Sequence, residues 1–158
     1  MAKYVGEIRG MLLPIVGGHI LLPNANIAEI ITYTDPEQVQ DVPSWVFGRM
    51  VWRGWSVPVF SFSQMSGVSD SEDFLASKLA VLKGLSGNPK MPFIATISQG
   101  FPKIVTLNQE SMIQKEIDDL PFGVNSVVEV NGVEAFVPDL DIVEPELVSA
   151  LVNPITEI

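Results

Sequence analysis

The chain has 158 residues, about the size of one domain, and its 47% hydrophobic content is too high for a largely disordered protein. Its formal net charge of −10, with only nine Lys and Arg residues, disfavours nucleic-acid binding and attachment to anionic membranes, which depend on basic side chains. The absence of Cys excludes disulfides, Cys-based zinc sites and cysteine nucleophiles.

Residues 1–9 carry charges where a signal peptide needs an apolar stretch, and the next apolar run, 11–16, is too short to span a bilayer. We therefore expect a cytoplasmic protein without an export or membrane segment.

The first half of the chain predicts short strands separated by turn residues. Gly17-Gly18 and Gly54 favour tight hairpins, because glycine readily adopts positive φ angles. In chain order, the predicted elements are the strands Ile8–Val16, His19–Leu22, Ile27–Tyr33, Arg49–Arg53 and Trp55–Phe60, then a short helix, Ser61–Ser66, closed by Gly67.

The polar, acidic segment 68–73 is the best internal boundary, and a second series of strands follows it. Asn131-Gly132 is the strongest hairpin signal, because this dipeptide suits a type I′ turn. The predicted elements are the strands Lys78–Leu85, Phe93–Ser98, Lys103–Asn108, Val124–Val130 and Val133–Val137, with a mixed stretch at 109–122 and a short terminal helix, Pro138–Val152. The chain is thus predicted to be all-β with a short C-terminal helix.

Two segments superficially suggest catalysis or phosphate binding. His19 is the only histidine, but it lies in a predicted strand and no G-x-S-x-G motif accompanies it. Gly84-x-x-Gly87-x-x-Lys90 has the wrong spacing for a phosphate loop, and Pro89 removes a backbone donor, so we interpret it as a hairpin loop. We expect no catalytic site.

The carboxylates Asp139, Asp141, Glu144 and Glu146 could offer oxygen ligands to a hard cation, but they complete only part of a calcium-loop pattern. Their position at the start of the terminal helix is explained more simply by charge–dipole pairing. We therefore expect no metal and no cofactor.

Trp45, Trp52 and Trp55 lie close together in the sequence. All three could belong to the core, or one could be a partner anchor, a role that tryptophan favours at interfaces. The sequence leaves both alternatives open.

The segment from Ile27 to Phe60 closely resembles the CheW-like family. That family shows, in order, a V-x-E-I strand, a P-x-x-x-x-G turn, an R-G hairpin and a V-P-V or I-P-V strand. The matching segments are Ile27-Ala28-Glu29-Ile30, Pro43 to Gly48, Arg53-Gly54 and Val57-Pro58-Val59. The resemblance covers nearly the whole chain and is sharp from Ile27 to Gly67.

The resemblance implies a single domain over 1–158, built as two intertwined five-stranded SH3-like barrels around a shared hydrophobic core. The first sub-barrel is expected at about 8–67 together with the C-terminal helix, and the second at about 76–138. The family has no catalytic chemistry.

The resemblance also implies partners: the cytoplasmic tip of methyl-accepting chemoreceptors and a CheA-type histidine kinase, bound through its own CheW-like regulatory domain. The protein would then be recruited to receptor arrays at the inner membrane. The residues expected to bind partners are Ile27, Glu29, Gly48, Trp52, Arg53, Gly54, Val57 and Pro58. For Arg53, the alternative is an ion pair with a carboxylate inside its own barrel.

The chain departs from the family pattern at two places. Ser61, Phe62 and Ser63 replace the usual aspartate, leucine and arginine, and Lys103–Leu107 lacks the family's aspartate. These departures indicate a divergent member that serves a specialised pathway, such as one controlling pili or surface motility. The alternative function is a small-barrel ligand- or nucleic-acid-binding module, which needs a polar pocket or a basic, aromatic face.

Overall fold

A computed structural model describes residues 8–85, 87–108 and 110–152 of the chain. The strands are β1 Ile8–Ile15, β2 Gly18–Pro23, β3 Ile27–Thr32, β4 Val46–Trp52, β5 Trp55–Phe60, β6 Lys78–Lys83, β7 Phe93–Ser98, β8 Lys103–Leu107, β9 Met112–Lys115, β10 Val124–Val130 and β11 Val133–Pro138. The helices are α1 Phe62–Ser66 and α2 Leu140–Val152, with a short 3-10 turn at Asn24–Asn26. Within these residues, no helix is both long and apolar enough to cross a bilayer.

The strands form two sheets that curve into SH3-like barrels, which confirms the predicted all-β fold. The six-stranded barrel has the strand order β8-β1-β2-β11-β10-β9, and the five-stranded barrel has the order β3-β6-β7-β5-β4. The ladders are antiparallel except β2 with β11 and β5 with β7. The barrels are intertwined, because each takes strands from both halves of the chain.

This strand exchange differs from the predicted division into sub-barrels at about 68–73. Strand β1 pairs with β8, and β3 pairs with β6, so neither sheet stops at that segment. The segment itself is tied to its surroundings by Glu72, whose carboxylate accepts hydrogen bonds from Ser63 Oγ and Gln99 Nε2, both at 2.8 Å, and from Ser61 Oγ. A polar, acidic composition here reflects an exposed connection and not a boundary.

Two other differences concern local signals. The first hairpin turns at Val16-Gly17, one residue earlier than predicted, since Ile15 pairs with Gly18. The stretch predicted as mixed contains β9. Most residues of β9 are exposed, so its sequence lacks the alternation of apolar and polar residues that marks a half-buried strand. Its addition gives one barrel six strands where five were expected.

Among the residues that the structure describes, the buried hydrophobic side chains form three clusters. The largest lies between the barrels and includes Leu13 and Val127 from one barrel, Phe60 and Leu82 from the other, and Leu147 from α2. Smaller clusters fill each barrel. The period-two alternation of β5 separates these environments, because Val57 and Val59 face the interior of the five-stranded barrel while Phe60 faces the shared core.

Candidate partner-binding site

A side-chain hydrogen bond joins β3 and β4, the two edge strands of the five-stranded barrel. These strands lie at opposite ends of the hydrogen-bonded order, yet the indole Nε1 of Trp52 donates a 2.8 Å hydrogen bond to Oε1 of Glu29. We call the line along which the two strands meet the β3–β4 seam. A bulge at Ala28 shifts the register of β3 next to Glu29, and Trp52 is the last residue of β4. The bulge in β3 therefore lies next to Glu29, the residue whose carboxylate reaches β4.

Arg53 lies beside this bond. Its Nη2 donates to the same Glu29 oxygen at 3.3 Å, and its guanidinium carbon lies 4.8 Å from the centre of the Trp52 ring. The Arg53 side chain is 67% exposed and that of Glu29 40%. The ion pair with a carboxylate of its own barrel, the alternative for Arg53, therefore exists. It lies at the surface and not in the interior, and surface pairs contribute about 0–1 kcal/mol to folding stability.

Exposed apolar side chains lie on both faces of the hairpin, with Trp55 on the same face as its cross-strand partner Trp52 and Val51 on the opposite face. Val51 is 81% exposed and Trp55 is 45% exposed, although both lie in the hairpin that carries Arg53. Phe93, at the start of β7, contacts Trp55 and Trp52 at ring-centre distances of 6.0 and 4.8 Å. We define Glu29, Arg53 and Trp55, which lie on the Trp52 side of the hairpin, as the Arg53 surface.

The three tryptophans differ in environment. Trp45 packs edge-on against Phe60 in the shared core, with ring centres 6.4 Å apart. Trp52 is buried, while Trp55 has a large exposed fraction. Trp55 therefore has the accessibility that a partner anchor requires.

Besides Trp52, three residues predicted to bind partners are buried. Val57 has no exposed surface, and Pro58 and Gly48 are buried. Gly48 has a φ of 139°, and a Cβ there would lie 2.0 Å from the Glu37 carbonyl oxygen. Their matching motif positions are explained by packing, because they have no surface through which to touch a partner.

Two further residues predicted to bind partners, Ile27 and Gly54, lie near the site but offer no side chain to its surface. Ile27 is half-buried and packs against the shared core, on the other side of the bulge from Glu29. Gly54 is exposed, and its φ of 82° allows the tight turn that presents Arg53. The structure therefore brings together Glu29, Trp52, Arg53 and Gly54.

Sequence reasoning missed Phe93 as a member of this region, because Phe93 lies far from the hairpin in sequence. Pairing of β5 with β7 brings Phe93 to Trp55, and this long-range contact has no local signal in the chain.

The segment that resembled a phosphate loop already holds an anionic group from the protein itself. Leu85 N donates a 2.7 Å hydrogen bond to Oε2 of Glu144, which is only 1% exposed. The Glu144 side chain of α2 thus binds the backbone of the connection between β6 and β7. No cluster of three or more acidic or histidine side chains suited to a metal occurs in 8–85, 87–108 or 110–152.

Comparison with known proteins agrees with the fold. The model of the CheW-like domain matches residues 8–143. The structure is similar to that of the scaffolding protein TtCheW from Thermoanaerobacter tengcongensis, with a TM-score of 0.71, 10% sequence identity and coverage of 89% of each chain. Among curated protein sequences, none matches this chain. Because the domain model spans most of the sequence, the chain belongs to the CheW-like family and is a non-catalytic adaptor of chemosensory signalling.

Proposed function

We propose that this protein couples the cytoplasmic tip of methyl-accepting chemoreceptors to the CheW-like regulatory domain of a CheA-type histidine kinase. It acts in the cytoplasm, at receptor arrays on the inner membrane, and uses the Arg53 surface to bind one of these partners. Family membership supports the adaptor role, and the geometry of Arg53 supports the choice of surface.

The observation that carries this proposal is the backbone conformation of Arg53. Arg53-Gly54 and Asn131-Gly132 form matching two-residue turns, with φ angles of 49° and 82° in the first and 51° and 82° in the second. Such turns favour Asn at the first position, because a left-handed conformation costs most other residues about 1–2 kcal/mol. An exposed arginine at this position gives up turn stability, which supports a role for its side chain in binding.

The neighbours of Arg53 suit a protein interface. The guanidinium offers planar, bidentate contacts, and Glu29 with the Trp52 ring restricts its orientation before binding. Trp55, the cross-strand partner of Trp52, adds exposed apolar area on the same face of the hairpin. A tryptophan and an arginine next to each other are the side chains most enriched among residues that dominate binding energy.

Reconstitution tests the adaptor role directly. Receptor cytoplasmic fragments from the native genome are attached to vesicles, and sedimentation of the cognate CheA-type kinase is measured with and without this protein. The kinase should co-sediment only when the adaptor is present. Equal sedimentation in its absence, or none in its presence with the protein folded, would contradict the proposal.

We also propose that the pathway controls pili or surface motility. The support is the departure at Ser61 and Ser63, where the family carries charged residues. In this chain both hydroxyls are buried and bind Glu72, and Ser61 caps α1 by accepting from Gln64 N at 3.1 Å. Deletion of the gene should reduce surface spreading and leave swimming intact, whereas loss of swimming alone would overturn this assignment.

A further inference from the structure

A cavity lies at the end of the β3–β4 seam away from Arg53. It has a volume of about 360 Å³ and is lined by Tyr33, Asp35, Pro36, Gln38, Phe47 and Phe74. Tyr33 lies four residues beyond Glu29 along β3, or about 13 Å at the usual strand rise. The cavity therefore shares no lining residue with the Arg53 surface.

Three aromatic rings form one side of this cavity. Phe74 lies between the other two, with its ring centre 5.1 Å from that of Tyr33 and 5.6 Å from that of Phe47. Phe74 is still 46% exposed although it contacts two other aromatic side chains. The rings thus keep a surface that a ligand can cover.

The rings come from three separate elements that the backbone holds in place. Phe47 is the extra residue of a bulge in β4, since Val46 and Gly48 pair with consecutive residues of β5. The loop that carries Phe74 is fixed to the end of β3, because Tyr33 N donates to the Ser77 carbonyl at 3.3 Å and Ser77 Oγ donates to the Phe74 carbonyl at 3.0 Å. The arrangement is therefore built before any ligand arrives.

The electrostatics favour a positive ligand. Asp35 supplies a carboxylate that lines the cavity beside Tyr33, and no basic side chain is among the six residues that line the cavity. The faces of aromatic rings carry partial negative charge and attract cations, most strongly when water is excluded. An uncharged apolar ligand would gain nothing from the carboxylate.

We infer that this cavity binds an organic cation, an alkylammonium or guanidinium group, between the aromatic rings and Asp35. Its volume falls within the range of about 300–1,000 Å³ that is typical of small-molecule sites. The cation comes either from a free solute or from a lysine or arginine side chain of a partner protein. The site is independent of the adaptor role, since its residues differ from those of the Arg53 surface.

Pairs of probes that differ only in charge test this inference on the intact chain. Choline is compared with its uncharged isostere, in which a tert-butyl group replaces trimethylammonium, and N-acetyl-lysine methylamide with N-acetyl-norleucine methylamide. Binding is followed through NMR signals of the ring carbons of Tyr33, Phe47 and Phe74. We expect at least one cation to bind about tenfold more tightly than its neutral partner.

Variants locate the binding. Phe74→Ala and Asp35→Asn should each weaken binding of the cation about three- to tenfold. Phe101→Ala is the matched control, because Phe101 is another exposed ring, 74% exposed, that lies outside the cavity and stacks on Lys78. Thermal unfolding checks that each variant is folded.

The outcomes are distinct. Preference for choline supports a free solute, preference for the lysine derivative supports a partner side chain, and either supports the cation site. Equal binding of charged and neutral probes, no ring-carbon shift with any probe, or an equal loss with Phe101→Ala would overturn it. None of these results depends on receptor or kinase binding, so the adaptor proposal is tested separately.

Discussion

The indole N–H of Trp52 and the guanidinium of Arg53 donate to the same oxygen of Glu29, at 2.8 and 3.3 Å. The first bond links the two edge strands of the five-stranded barrel, and the second orients a side chain that reaches solvent. One carboxylate thus joins the architecture of the barrel to its candidate binding surface. Replacing Glu29 should affect both, whereas changes at Trp52 and Arg53 separate them.

Trp52→Phe should lower the free energy of unfolding by about 1–3 kcal/mol, because the ring is kept in part while the hydrogen bond to a charged group is lost. Chemical denaturation measures the change. Trp55→Phe is the control, since Trp55 makes no hydrogen bond through its indole among the described residues and is half-exposed, so its loss should be below about 1 kcal/mol. Equal losses for the two variants would show that the bond across the seam contributes nothing.

Gly48→Ala should lower the free energy of unfolding by about 3–5 kcal/mol. The new Cβ would lie 2.0 Å from the Glu37 carbonyl oxygen, and Glu37 exchanges two 2.8 Å backbone hydrogen bonds with Arg49, so the neighbouring strand segment cannot yield cheaply. Gly54 has a positive φ of 82°, but a Cβ added there meets open space. Gly54→Ala should therefore lower the free energy of unfolding by only about 1–2 kcal/mol. A smaller loss for Gly48→Ala than for Gly54→Ala in the same denaturation experiment would refute this explanation.

Most of the strands could be predicted from the sequence because local signals mark them. Asn131-Gly132 specifies its hairpin through the φ angles that the turn needs, and β-branched residues identify Ile27–Thr32. Strand exchange between the barrels could not be predicted from such signals. Pairing of β1 with β8 joins residues far apart in sequence, and the residue pattern of a strand does not indicate which distant strand it pairs with.

Arg53→Asn should leave the free energy of unfolding unchanged or raise it by no more than about 1 kcal/mol, since the favoured turn residue replaces a strained one while a surface ion pair is lost. Affinity for the partner should nevertheless fall. Denaturation and calorimetric titration on the same preparation measure the two quantities. A clear loss of stability with unchanged affinity would show that Arg53 serves the fold.

Tyr33 should ionise at higher pH than a free tyrosine, because burial and the neighbouring carboxylates, Asp35 before Glu72, raise its pKa. The stability linked to this group is fully present below the ordinary pKa of about 10 and is lost as the pH rises through the higher folded value. Asp35→Asn should move the pKa of Tyr33 downward. Phenolate absorbance measures it in a Tyr4→Phe background, which removes the other tyrosine of the chain; an unchanged titration would exclude the contact.

The candidate site was predicted only in part, because sequence motifs mix packing residues with surface residues. Val57 and Gly48 match the family pattern as well as Arg53 does, yet they are buried. Exposure is a property of the assembled barrel, and so is the contact between Phe93 and the hairpin tryptophans. Of the site, only the Arg53-Gly54 turn could be predicted from the local sequence, because a glycine after a long charged residue favours an exposed turn.

Calorimetric titration of Arg53→Glu into the regulatory domain of the native CheA-type kinase and into the receptor tip tests the central claim most directly. The control is Asn131→Glu, which places a carboxylate at the same position of the matching turn in the other barrel. Arg53→Glu should unfold at a temperature close to that of wild type and lose about 2–5 kcal/mol of binding free energy for one partner, while Asn131→Glu binds both as wild type does. Wild-type affinity of folded Arg53→Glu for both partners would contradict the account.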